Sequence, residues 1–187
     1  MRNAVLICST LLAFSSYGQS YPGREKINMD SLFKAMEARK KAAIGKQFPE
    51  FFTLLNNKAY SNKDLKGKVV FVNLWFAACA PCIAEFEALN DLYDHFKTDS
   101  SFEFISFTFD DSSEIASIKQ QYHIQYNIFS VPHDDCNRLN FGSGFPANII
   151  LDKSSTITWF NSGGELNKHA IEKYFSTKVY PFILKEL

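Results

Sequence analysis

Two cysteines separated by two residues, Cys79 and Cys82, are the side chains of this sequence best suited to chemistry. On a helix, a spacing of three is nearly one turn, so the second sulfur can reach the first. The run Val69-Val70-Phe71-Val72-Asn73-Leu74-Trp75-Phe76 comes just before them and is almost wholly apolar. Its β-branched and aromatic residues read as a strand buried on both faces. After the pair, Ile83, Phe86, Leu89, Tyr93 and Phe96 recur at spacings of three and four, which predicts a helix from about Pro81 to Phe96. Cys79 then stands near the cap of that helix. There, orphan backbone N–H groups and the positive helix end stabilise a thiolate. A free thiol ionises at about 8.5, and helix-start cysteines of this spacing ionise at roughly 3.5–7.5. Pro81 suits a first turn, where its missing N–H costs nothing. The implied chemistry is thiol–disulfide exchange, with Cys79 attacking and Cys82 resolving.

Two further features cluster on this unit. Glu85 lies three residues past Cys82 on the same helix, so it can approach that thiol as a proton acceptor. The rival reading is an exposed first-turn acid favoured by the helix dipole. Pro146 follows Phe145 and heads the apolar segment Ala147-Asn148-Ile149-Ile150-Leu151. A proline at a strand head can hold a cis bond and sit against the cysteine pair, leaving Phe145 backbone groups free to pair with a substrate chain.

Other chemistries compete. A CxxC is half of a zinc site, and His133 with Cys136 offers the other half. The strand-to-helix setting favours redox use, and no metal is expected. A peroxidase would need Thr three residues before the reactive cysteine, and position 76 is Phe. A redox-silent binding module would keep the fold without the exchange, against which the intact CxxC counts. Cys136 reads as a buried inert thiol, or as a third redox-active one. The histidines His95, His123, His133 and His169 are scattered and read as surface or structural residues.

The positioning elements follow from pattern. A helix starting at Asp30 or Ser31 carries Leu32, Phe33, Met36 and Ala43 as its apolar positions and ends at Gly45. Phe51–Leu55 and Lys58–Ser61 read as a hairpin around Asn56-Asn57. Phe102–Phe109 is a second strand, and Ser112 or Ser113 caps a helix through Tyr122. Tyr126–Val131 is extended, and residues 134–139 make a turn or two of helix. Ala147–Leu151 and Thr156–Phe160 form a hairpin, and a last helix runs from Glu165 to about Lys178. This order predicts an α/β fold, a mixed central β-sheet with helices on both faces.

The chain has 187 residues, with 46% hydrophobic, 21% charged, 19 Phe and 8 Tyr. That composition fits a globular domain with a large aromatic core and excludes disorder. Zero formal net charge gives no footprint for nucleic acid. Residues 1–18 have the layout of a signal peptide: Arg2, an apolar run from Ala4 to Phe14, then Ser16 and Gly18 before a cut. The alternative is an uncleaved tether, and no later stretch approaches ~20 apolar residues. Export puts the thiols where disulfides persist.

Four stretches together resemble the thioredoxin superfamily, and within it the exported TlpA/ResA-like thiol–disulfide oxidoreductases. They are Ile44–Phe51, Leu65–Val70, Cys79–Glu85, and Gly144-Phe145-Pro146 before Ile149-Ile150-Leu151-Asp152. The resemblance implies a thioredoxin-like fold over residues 44–187 behind an N-terminal helical extension at 19–43. It makes Cys79 the nucleophile, Cys82 the resolving cysteine, Glu85 the shared acid and Pro146 a cis-proline. Trp75, Ala80, Pro81, Phe145 and Pro146 become substrate contacts. It implies protein partners bearing disulfides or dithiols, an upstream electron donor, no cofactor, a periplasmic location and work chiefly as a reductant. Ala78 departs from the Trp, Gly or Ser common before the first cysteine, and Glu87 from a common Pro.

Overall fold

A computed structural model describes residues 28–55 and 57–187. The expected signal peptide and the first part of the extension lie outside the described residues. Helix α1 spans Met29–Ala43, followed by the hairpin β1 (Phe52–Leu55) and β2 (Lys58–Ser61). The central sheet is built from β3 (Val69–Leu74), β4 (Phe102–Thr108), β5 (Asn127–Ser130), β6 (Ala147–Leu151) and β7 (Ile157–Ser162). Its order is β5-β4-β3-β6-β7, with β3, β4 and β5 parallel and β6 and β7 antiparallel to their neighbours. Helices α2 (Ala80–Phe96), α3 (Ser112–Gln121), α4 (His133–Leu139), α5 (Lys168–Tyr174) and α6 (Tyr180–Glu186) complete the chain. This is the expected mixed sheet with helices on both faces.

β3 lies at the centre, and every residue in it is buried. Its alternation sends side chains to two separate cores. Val69, Phe71 and Trp75 join Phe86 and Leu89 of α2, Ile171 of α5 and Ile183 of α6. Val70, Val72 and Leu74 join Phe51, Tyr60, and Cys136 and Leu139 of α4. A strand sandwiched in this way is held in register from both sides, so its end, where the cysteines follow, is a fixed point.

The structure corrects several boundaries. β3 ends at Leu74 rather than Phe76: the Trp75 N–H still bonds the Phe107 carbonyl, and the chain then turns towards α2. Asn28, not Asp30 or Ser31, caps α1 by accepting from the Ser31 N–H, and Asp111, not Ser112 or Ser113, caps α3. Leu32 and Phe33, expected to pack, lie exposed. The last helix starts at Lys168, passes through a π-helical turn at Phe175–Val179 and continues to Glu186. That turn keeps Phe175, Val179 and Ile183 on the buried side.

α1 is fastened to the loop that leads into β6. Arg39 donates from Nη1 to the Gly142 carbonyl at 2.6 Å. Gly144 has φ +83°, and a Cβ there would come within 2.7 Å of Met36 Cε. The left-handed backbone is what favours glycine here, since the Met36 methyl ends a flexible side chain. Replacing Arg39 by Ala is expected to cost about 1 kcal/mol of stability. It should also speed amide exchange across residues 142–145, read by mass spectrometry; unchanged exchange there would show that α1 does not restrain the loop.

Candidate active site

The site grows out of the turn between β3 and α2. The Ala77 N–H donates to Asp110 Oδ2 at 2.8 Å, and the Thr108 hydroxyl donates to the same oxygen at 2.6 Å. The Cys79 N–H then closes a tight turn onto the Phe76 carbonyl. These bonds deliver Cys79 to the N-cap of α2 in extended conformation. Its sulfur accepts the Cys82 backbone N–H at 3.3 Å, the position an Ser or Asp oxygen usually fills. Pro81 occupies the first turn, and α2 carries no acid there. Cys79 and Cys82 are joined in a disulfide, with Cα atoms 5.2 Å apart. Cys82 is almost fully buried and Cys79 slightly less so.

Several expected site residues converge here. Ala80 is exposed beside the disulfide, and Pro81 is half-buried. The Phe145–Pro146 bond is cis. Phe145 is half-buried and packs edge-on against Phe76, 5.4 Å between ring centroids. Trp75 departs from its expected role as a substrate contact. It is fully buried, its ring stands edge-on against Phe86, and its Nε1–H donates to Ser106 Oγ at 2.9 Å. Its place at the end of β3, pointing to the α2 side, puts it in the core.

Glu85 is buried on α2, one turn past Cys82, not exposed as a simple first-turn acid. Burial pushes its carboxyl up from 4.5 to about 7, against the opposing effect of a hydrogen bond donated by Asn148 Nδ2 to Oε2 at 2.9 Å. It lines a cavity of about 330 Å³ with Gly163, Gly164, Ile171 and Tyr174. Gly164 borders the site as well. A Cβ on it would lie 2.7 Å from Pro81 Cβ and 3.0 Å from Pro146 Cγ, so the backbone passes between the two prolines only without a side chain.

Cys136 takes no part in this arrangement. It is buried in the core on the other face of the sheet, where burial first, then Asp110 and Asp135, push its thiol up to about 12. That position makes Cys136 the inert alternative and sets it across the sheet from the Cys79–Cys82 pair, with which it would have to share a metal.

The residues that the sequence reading missed are Asn148, Asp110 and Gly164. A signal existed for two of them: a polar residue interrupting an apolar strand, and a Gly-Gly pair before a helix cap. Asp110 gave none, because acidic residues after strands are ordinary.

Residues 44–160 match the model of the AhpC/TSA family. The chain belongs to that family. Within it, the thiol–disulfide oxidoreductase ResA of Bacillus thuringiensis (strain Al Hakam) is 32% identical over 182 residues, covering 95% of this chain and 93% of its own. The thioredoxin domain of a thiol–disulfide oxidoreductase from Bacteroides vulgatus superposes with a TM-score of 0.56 at 27% identity, over 71% of this chain and 97% of that one. A thiol:disulfide interchange protein from Bacteroides sp. has the same fold, with a TM-score of 0.57 at 24% identity over 78% and 98%. The AhpC/TSA chain described here is accordingly a thiol–disulfide oxidoreductase of thioredoxin-like fold. Among the described residues, no helix is long and apolar enough to cross a membrane.

The raised Glu85 carboxyl sets a pH dependence of stability. Between about 4.5 and about 7 the folded state keeps a proton that the unfolded chain releases, so stability falls as pH rises through that window. Glu85→Gln removes the titration. Denaturant unfolding of the oxidised protein should show the wild type losing up to about 3 kcal/mol across the window relative to the variant. A difference independent of pH would mean that the carboxyl titrates as it does in water.

Proposed function

We propose that this family member is an exported reductant of protein disulfides, working through Cys79 and Cys82 with Glu85 as the proton acceptor. The observation that carries the reading is the Cys79 sulfur at the cap of α2, where a backbone N–H already points at it. In the reduced protein the same N–H and the helix dipole favour a thiolate.

The cycle balances as follows. The Cys79 thiolate attacks one sulfur of a partner disulfide; that S–S bond breaks, and the other partner sulfur leaves as a thiolate. Cys82 then gives its proton to Glu85 and attacks the Cys79 sulfur. The Cys79–Cys82 bond forms, and the second partner sulfur departs. The partner has gained two electrons and the chain has lost two. A dithiol donor of the same compartment restores the pair by the reverse exchange. Above about pH 7 Glu85 is ionised and opposes a second negative charge near either sulfur, which disfavours the thiolate form and tilts the pair towards giving electrons away.

Around the disulfide, exposed Ala80 with half-buried Pro81 and Phe145 offer the contact surface for a partner chain, while cis-Pro146 itself is buried. β6 joins the ladder only at Ala147, which leaves the backbone of Phe145 outside it and next to the pair. Export rests on the signal-peptide layout of residues 1–18 and implies a periplasmic site of action.

Insulin reduction with a dithiol donor is expected to vanish in Cys79→Ala, while Cys82→Ala should accumulate a mixed disulfide with substrate. The couple, equilibrated against glutathione or dithiothreitol, should sit nearer the roughly −270 mV of thioredoxin than the roughly −120 mV of DsbA. Activity retained in Cys79→Ala would reject the site, and a potential at the oxidising end would reverse the direction.

A further inference from the structure

Three polar residues lie side by side in the middle of the sheet. Asn73 of β3 is paired in register with Ser106 of β4 on one side and with Asn148 of β6 on the other. All three point to the α2 side, and all are at most 1% exposed. β3 and β6 are otherwise apolar at their buried positions, and β4 is so apart from Thr108, so a Val or Ile at each place would pack without polar atoms. Burying a row of amides and a hydroxyl costs free energy unless every group is bonded.

The row is bonded end to end, and in one direction. Trp75 Nε1–H donates to Ser106 Oγ at 2.9 Å. Ser106 donates to Asn73 Oδ1 at 3.1 Å. Asn73 Nδ2 donates to Asn148 Oδ1 at 2.9 Å, and Asn148 Nδ2 donates to Glu85 Oε2 at 2.9 Å. An indole nitrogen can only donate. It therefore fixes which way the Ser106 hydroxyl points, and through it the orientation of both amides. The last link must present an N–H to the carboxyl, not a carbonyl oxygen. A chain of donors ending on an anion polarises along its length.

We propose that Asn148, oriented by Asn73, Ser106 and Trp75, is a positioning residue that holds the Glu85 carboxylate ready to take the proton of Cys82. The inference rests on the reading of Glu85 as proton acceptor. Among the described residues no other group bonds the Glu85 carboxyl. Tyr126 and Tyr174 stay protonated and sense its charge, but neither hydroxyl donates to it, and that of Tyr126 has no partner. Glu165 lines the same cavity but is exposed and of like sign. On α2 the near neighbour is Cys82. Asn148 is thus the group that favours the ionised carboxyl against burial.

The test is a titration of Glu85 by carbon-detected NMR in the oxidised full chain, with the pH profile of the resolving step measured in parallel. Asn148→Leu should raise both midpoints by about one pH unit, the worth of one hydrogen bond to a charged group. At pH 7 the resolving step should slow about fivefold as the ionised fraction falls. Ser106→Ala, two links away, should move both midpoints the same way by less, and it decides the matter if Asn148→Leu fails to fold. In a Glu85→Gln background Asn148→Leu should shift no profile. A Glu85 midpoint unmoved in the folded variants overturns the positioning role. A midpoint that moves while Glu85→Gln keeps the wild-type rate profile upholds the positioning and removes the proton-acceptor role instead.

Discussion

A sulfur atom caps α2. The Cys79 side chain accepts the backbone N–H of Cys82, in the place that an oxygen holds on most helices. The rest of the molecule serves to keep that sulfur there. β3 is clamped between two cores, the Asp110 carboxylate ties down the turn after it, and the aromatic and leucine stripe of α2 anchors the helix on the sheet. A helix head offers unpaired donors and a partial positive charge wherever it occurs, but these act on a thiol only if the approach of the chain is rigid. The second cysteine follows from the same geometry. One turn further on, its sulfur lies within bonding distance of the first, and the two are joined.

The reactive pair meets a buried acid from within the protein and a cis-proline loop from outside. Burial drives Glu85 towards its neutral form, and Asn148 draws it back towards the charged one; the balance falls close to neutrality. A carboxyl in that range can take or return a proton without a large cost either way. The outer wall is assembled from distant parts of the chain: α1 holds the loop before Pro146 through Arg39, and the Gly164 backbone slides between Pro81 and Pro146. The third cysteine is kept out of the chemistry by the sheet, which separates it from the pair and buries it among apolar side chains.

Much of this was legible in the residues. The apolar run of β3, the CxxC after it and the periodic stripe of α2 are local patterns, and each reports a local structure. The mixed character of the sheet, with helices on both faces, followed from the alternation of strands and helices. What escaped was set by tertiary contact. The family resemblance made Trp75 a substrate contact, but the parity of β3 sends it inward to Ser106. Leu32 and Phe33 looked like a buried stripe, yet α1 docks through Arg39, Met36 and Ala43 and leaves them in solvent. Asn73, Ser106 and Asn148 belong to three strands far apart in sequence, and only the register of the sheet makes them one row. Caps shifted by one to three residues because several Asp, Asn and Ser side chains compete at each helix start.

The central claim is that the head of α2 activates one thiol and the fold silences another. Alkylation of the fully reduced protein by iodoacetamide at pH 7, with each site followed by mass spectrometry, measures this directly. Cys79 should react well ahead of free cysteine, Cys82 more slowly, and Cys136 only on unfolding. Cys79 reacting no faster than free cysteine, or Cys136 keeping pace with it in the native state, would contradict the account.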